Sequence, residues 1–191
     1  MRDLDEQETK IVAALIHNPR LSDNRLGDAH DIPVRTVSRK RARLEKEGLV
    51  RYYAELDTSG SGSGHYPCSH LYIIRFKVGI TAGAVSEEIR NEPKVVTVFT
   101  RSIQESFIAE LDGKVALVMV VMGTSDADIV RRVQEDIVPS LHKTHGEDAI
   151  EGISTIRLLE RVRILRNYLP AVNVSDGRMN EDWSIDSICV V

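Results

Sequence analysis

The chain is poor in several features that announce a function class. Two cysteines, Cys68 and Cys189, are too few for a disulfide framework and point to a reduced, cytoplasmic setting. The longest apolar run, Val115 to Met122, has eight residues, too short to span a bilayer. The start, MRDLDEQETK, is charged and has no apolar signal core. Cys189 is third from the end, so it does not form a prenylation box. There is no nucleophile elbow and no phosphate loop, so no catalytic residue is assigned. Nor is one sign of charge in large excess. A net charge of −4 argues against a wholly basic nucleic-acid coat.

What is present is a local concentration of positive charge. Residues 1–57 hold 11 basic and 11 acidic residues, and the remainder 14 against 18. Within the neutral first part, IPVRTVSRKRARLEKEGLV (residues 32–50) carries Arg35, Arg39, Lys40, Arg41, Arg43 and Lys46 against Glu45 and Glu47. Straight-chain helix formers fill this stretch, and Gly48 stands where a helix C-terminus favours a residue that tolerates positive φ. At about 100° per residue, Val34, Val37 and Leu44 gather on one side, with Arg35, Thr36, Arg39, Arg43 and Lys46 on the other. Such a helix suits a major groove, where arginine bonds guanine edges and lysine meets phosphate.

Upstream, residues 4–17 read as a first helix, capped by Asp5 and carrying Ile11, Val12, Leu15 and Ile16 as its apolar stripe. Asn18-Pro19 stops it. Ser22 caps a short second helix whose Leu26 and Ala29 are expected to face inward. His30-Asp31-Ile32-Pro33 is the turn before the basic helix, and Leu49 to Leu56 reads as a strand where a wing would sit. Three helices with a tight turn before a basic third make a helix-turn-helix. Direct reading places Arg35, Thr36 and Arg39 nearest base edges, Lys40 and Arg43 at phosphates, Ser22 beside them, and Ser38 on the flank.

Asp57 to Gly64 (DTSGSGSG) behaves as flexible coil, so the expected organisation is a DNA-binding domain over 1–57, a linker over 58–67, a second domain over 68–165 and an extension over 166–191. In the second domain, residues 70–79 read as a strand, 82–92 as a helix stopped by Pro93, and Val95 to Thr100 as a further strand. Ser106 to Leu111 and Lys114 to Met122 read as strands joined at Asp112-Gly113, a strong hairpin signal. A helix from Ser125 or Asp126 to about His142 shows Ile129, Val130, Val133, Ile137 and Leu141 on one face, with a kink expected at Pro139. Ile150 to Ile164 closes as a strand. The order β-α-β-β-α-β is the ferredoxin-like plan, giving an α+β protein.

LDEQETKIVAAL, LSDNRLGDAHDIP and TVSRKRARLEKEGLV resemble the N-terminal winged helix-turn-helix of the leucine-responsive/asparagine (Lrp/AsnC) transcription regulators, whose second domain has the same βαββαβ order. The resemblance covers residues 4–165 and implies a cytoplasmic regulator that binds double-stranded DNA, dimerises through its second domain and forms higher assemblies. It departs from the family at Gly27, where alanine is usual, at Asp31, often glycine, and at Arg41, where an apolar residue would face the core. Arg41 must snorkel or pair. The family's ligand loop has an aspartate three residues after a glycine; here Gly113 is followed by Ala116, and Asp112 and Gly113 are the residues expected nearest an amino-acid effector. No resident cofactor is expected. Two other classes stay open: an enzyme on the same chassis, of the haem-pathway decarboxylase kind, and a sensing assembly protein that does not touch DNA. His65, Cys68 and His70, with His142 and His145, are too irregularly spaced for a structural zinc site.

Overall fold

A computed structural model of the chain describes residues 2–54, 56, 58, 62–91, 98–160, 174–175 and 178–179. The chain folds as two compact units, residues 56–160 forming one and residues 1–55 with 161–191 the other.

In the first unit, helix α1 (Glu6–His17) begins in a capping box: the Asp5 carboxylate accepts from the Glu8 backbone N–H, and Glu8 accepts from that of Asp5. Helix α2 (Asp23–His30) starts at Ser22, whose hydroxyl accepts from the Arg25 backbone N–H. Helix α3 (Val34–Lys46) follows a turn in which Asp31 takes the left-handed conformation, φ 53°. Gly48, at φ 70°, ends α3 as its C-terminal position requires. Gly27 is where α2 meets the turn closely. A Cβ there would lie 2.7 Å from the Ile32 carbonyl oxygen, which explains glycine at this position. Ile11, Leu15, Leu26, Ile32, Val37 and Leu44 form the core of the unit.

Three expectations for this unit are corrected. Val34 is 40% exposed: at the first position of α3 it lies against Gly27 of α2, which has no side chain to cover it. Ala29 is exposed, and the buried residues of α2 are Leu26 and Gly27. Leu49 to Leu56 carries no strand among its described residues. A wing strand needs a hydrogen-bonded partner, and the Gly/Ser-rich stretch after it is a poor one.

The second unit is a four-stranded antiparallel sheet, order β2-β3-β1-β4, with helices against one face. Strand β1 (Cys68–Phe76) leads to helix α4 (Ala82–Asn91), and a short helix α5 (Val98–Ser102) precedes β2 (Ile103–Leu111). Strand β3 (Lys114–Gly123) is followed by α6 (Asp126–Arg132), a π-helical turn (Val133–Ile137), α7 (Val138–His145) and β4 (Ile150–Leu158). This is the βαββαβ order read from the sequence. Asp112 (φ 52°) and Gly113 (φ 74°) close the β2–β3 hairpin as a two-residue turn with both residues left-handed. The strand expected at Val95 to Thr100 is corrected: residues 98–100 are helical, and 95–97 lie outside the described residues. Phe99 packs onto the core from that helical turn, which strand propensity alone does not reveal. The kink expected at Pro139 takes the form of the widened turn just before it.

Alternation in β1 and β3 sends Tyr72, Ile74, Phe76, Leu117, Met119 and Val121 toward Ile129, Val133, Ile137 and Leu141, making the core of this unit. The registers put Leu71, Ile73, Val118, Val120, Phe107 and Ile156 on the opposite face, where Phe107 is 56% and Ile156 50% exposed. Beyond β4, two short strands, β5 (Val174–Ser175) and β6 (Arg178–Met179), pair with each other. Trp183 and SIDSICVV lie outside the described residues.

Candidate nucleic-acid interface

Helix α3 buries Val37 and Leu44 completely, and this fixes what its other side shows to solvent. Arg35, Ser38 and Arg39 are exposed and Thr36 is half-buried. These four line an open groove of about 1040 Å³ together with Asp23, Asn24, Pro33, Val34 and Ala42. Ser22, immediately before Asp23, is exposed at the start of α2. The structure therefore gathers Arg35, Thr36, Ser38 and Arg39 into one surface. Asn24 and Ala42 also line it, and sequence reasoning passed over both. Their spacing on α2 and α3 was legible, but which α2 residues face α3 depends on docking.

The six cations of the basic stretch divide into two sets. Arg35, Arg39 and Lys46 make no hydrogen bond or ion pair among the described residues. Lys40, Arg41 and Arg43 are engaged by the protein's own carboxylates. Lys40 donates to Asp5. Arg43 donates to Glu47 at 2.8 Å. Arg2 also reaches Glu47, at 2.8 Å, and pairs with Glu8 at 2.6 Å. The expected phosphate contacts Lys40 and Arg43 thus belong to one network that ties the start of α1 to α3: Lys40 to Asp5, Asp5 to Glu8 through the backbone bonds of the capping box, and Glu8 through Arg2 to Glu47 and Arg43.

Arg41 pairs, as its position demands. Its guanidinium donates to the Leu21 carbonyl oxygen at 2.8 Å, Asp23 at 3.2 Å, Glu45 at 3.1 Å and the Tyr52 hydroxyl at 3.1 Å. With its centre 5.5 Å from the Tyr52 ring centroid, it also takes a cation–π contact. An apolar residue here would leave Asp23 in the groove without its counter-charge.

The network has a signature in acid. Lys40 holds the Asp5 carboxyl below the usual carboxylate range; Arg2 does the same for Glu8, and Arg2 with Arg43 for Glu47. A carboxyl whose folded-state pKa is depressed contributes stability above its unfolded pKa, about 4. That contribution is lost as pH falls through the folded values. The thermal midpoint of the first unit is therefore expected to fall as pH drops below about 4. Glu47→Gln should reduce the fall. A midpoint unchanged between neutral and acid pH, followed by circular dichroism, would count against the network.

Asp112 and Gly113 lie exposed at the hairpin tip, with nothing within 4 Å of where a Gly113 Cβ would stand. Turn chemistry alone accounts for both residues. In the second unit, His70 is buried, with Nε2 2.9 Å from Asp126, which also pairs with Arg157 at 3.0 Å. No group of three or more His, Cys, Asp or Glu side chains is arranged to hold a metal among the described residues. No helix among them is long and apolar enough to cross a membrane.

Residues 4–51 match the family model described as winged helix-turn-helix DNA-binding. The transcriptional regulator NMB0573 of Neisseria meningitidis, solved with L-Met, aligns at TM-score 0.62 and 18% identity over 88% of this chain and 97% of that one. AsnC of Escherichia coli aligns at TM-score 0.60 and 16% identity over 85% and 97%. The fold is that of the Lrp/AsnC regulators. LrpC of Bacillus subtilis shares it, at TM-score 0.59 and 15% identity over 85% of this chain and 99% of that one. No curated protein sequence matches the chain. The matched segment 4–51 contains α1, α2 and α3 and every residue of the groove.

Proposed function

We propose that the chain is a sequence-specific DNA-binding transcription regulator that places α3 in the major groove and acts as a homodimer. One observation carries the reading: Arg35 and Arg39, four residues apart on the exposed side of α3, are both without a protein partner among the described residues. Four residues advance a helix by about 6 Å, close to two base-pair steps of about 3.4 Å. The two guanidinium groups can therefore address base pairs two steps apart, with Thr36 and Ser38 beside them. Lys40 and Arg43 reach phosphate only by exchanging Asp5 and Glu47 for it, so their share of the affinity is smaller than their charge suggests.

Dimerisation is favoured by the uncovered apolar face of the sheet, where Phe107 and Ile156 stand half in solvent. Two such units present two third helices to half-sites about one helical turn apart. The reading assigns no catalytic step, and its setting is cytoplasmic. We also propose an amino-acid effector, on the likeness in fold to the regulator solved with L-Met, with Asp112 and Gly113 as the residues to test.

A gel shift of the full chain tests the proposal, with DNA from upstream of its own gene competed by random duplex. The expected result is a preference of about 10³-fold or more. Equal competition would return the chain to the enzyme or pure-sensor classes.

A further inference from the structure

We infer that Arg75 and Glu105 form two symmetry-related ion pairs between two copies of this chain, and so set the register of the sheet-to-sheet interface. The inference rests on the homodimer reading and deepens it. Both residues belong to the uncovered face. Arg75 on β1 stands beside Ala116 of β3 and Gly152 of β4. Glu105 on β2 stands beside Val120 of β3, in the row of Leu71. That face is otherwise apolar over Leu71, Ile73, Phe107, Val118 and Val120.

Neither charge is held by a hydrogen bond or a contact ion pair among the described residues, where Arg75 meets the Glu151 carboxylate only through space. The Arg75 Nε is buried without an acceptor. A buried donor left unpaired is costly, so an interface that brings an acceptor to this guanidinium is favoured over one that does not. Room for it exists. The residues beside Arg75 along the row are Gly152, Ala116 and, on β2, Ala109. A Cβ at Gly152 would lie 3.0 Å from Arg75 Nη2, so the guanidinium extends over the glycine.

The registers make the two charges reciprocal. Val118 pairs with Ile73 of β1 on one side and Phe107 of β2 on the other. Arg75 is one strand across and two residues along from Val118; Glu105 is one strand across and two residues along in the opposite direction. A two-fold axis lying between two stacked sheets, over Val118, carries Arg75 of one copy to Glu105 of the other. The same operation carries Glu105 to Arg75, as an isologous interface requires. With strands about 4.8 Å apart and a rise of about 3.4 Å per residue, the two sheets then cross at about 70°, near the orthogonal class of sheet packing.

Sedimentation equilibrium of the full chain tests this, with Arg75→Glu, Glu105→Arg and the double exchange. Each single reversal should raise the dimer dissociation constant at least about tenfold, and the double exchange should return it to within about threefold of the starting value. Glu105 is exposed, so Glu105→Arg tests the pair even if Arg75→Glu does not fold. A Glu105→Arg protein that dimerises unchanged, or a folded double exchange that recovers nothing, overturns the ion pair alone. A wild-type chain that stays monomeric at every concentration overturns the dimer reading and the pair together, while leaving the DNA preference to its own test.

Discussion

Arg39→Ala is expected to weaken binding to the preferred sequence by about 1–3 kcal/mol and to relax the preference at one base pair. At about 1.4 kcal/mol per factor of ten, that is a loss of roughly five- to 150-fold. Binding to random DNA should change far less, because base contact rather than charge is what the substitution removes. The thermal midpoint should stay where it is. Arg39 is exposed and has no protein partner among the described residues, so truncating it breaks nothing in the fold. Footprinting with randomised sites reads the preference directly; an unchanged preference would remove Arg39 from the base contacts. Arg43→Ala offers the contrast. Its guanidinium already pairs with Glu47, so the substitution costs an ion pair on the protein as well as any phosphate contact.

Leu44→Ala should do the opposite. Leu44 is fully buried among Ile11, Leu15, Leu26 and Val37, where it holds α3 against the other two helices. Removing it costs about 2–5 kcal/mol, from lost burial and the cavity left behind. Whole domains are stable by only about 5–15 kcal/mol, and small ones lie low in that range. The first unit should therefore melt at a markedly lower temperature, while folded molecules at low temperature keep the wild-type base preference. Thermal melts followed by circular dichroism, with footprinting in the cold, separate the two effects. A midpoint close to that of the wild type would mean that α3 is held by something other than this core. Together the two substitutions distinguish the surface that reads DNA from the packing that presents it.

The parts of the fold that were legible in the sequence are those set by neighbours in the chain. Asp5 and Ser22 cap helices because their side chains reach N–H groups three residues on. Asp112-Gly113 turns a hairpin because both residues tolerate positive φ. Val37 and Leu44 are buried because they are seven residues apart, two helical turns. The misreadings came where a partner distant in sequence decides. Val34 lies on the apolar side of α3, yet what meets it so near the start of the helix is Gly27, which has no side chain to cover it. Residues 98–100 have strand propensity, yet Phe99 packs from a helical turn.

The candidate site divides in the same way. Periodicity put Arg35 and Arg39 on one exposed side, and that is where they are. It could not show that Lys40 pairs with Asp5 or that Arg2 reaches Glu47, since those partners lie 35 and 45 residues apart. The Arg43–Glu47 and Arg41–Glu45 spacings, four residues each, are visible in the sequence as helix-stabilising pairs. These spacings mark Arg41 and Arg43 as engaged cations, while Lys40, whose partner is distant in sequence, still passes for a free one.

The π-helical turn at Val133–Ile137 keeps a helix in phase with its sheet. Ile129, Val133, Ile137 and Leu141 are all buried, and they recur every four residues. In an unbroken α-helix that recurrence rotates by about 40° at each step, carrying Leu141 about 120° away from Ile129. The wider turn takes up much of that rotation, so one straight row of side chains meets the sheet from end to end. The other side of the sheet meets no such row among the described residues, and Phe107 and Ile156 stand half in solvent there.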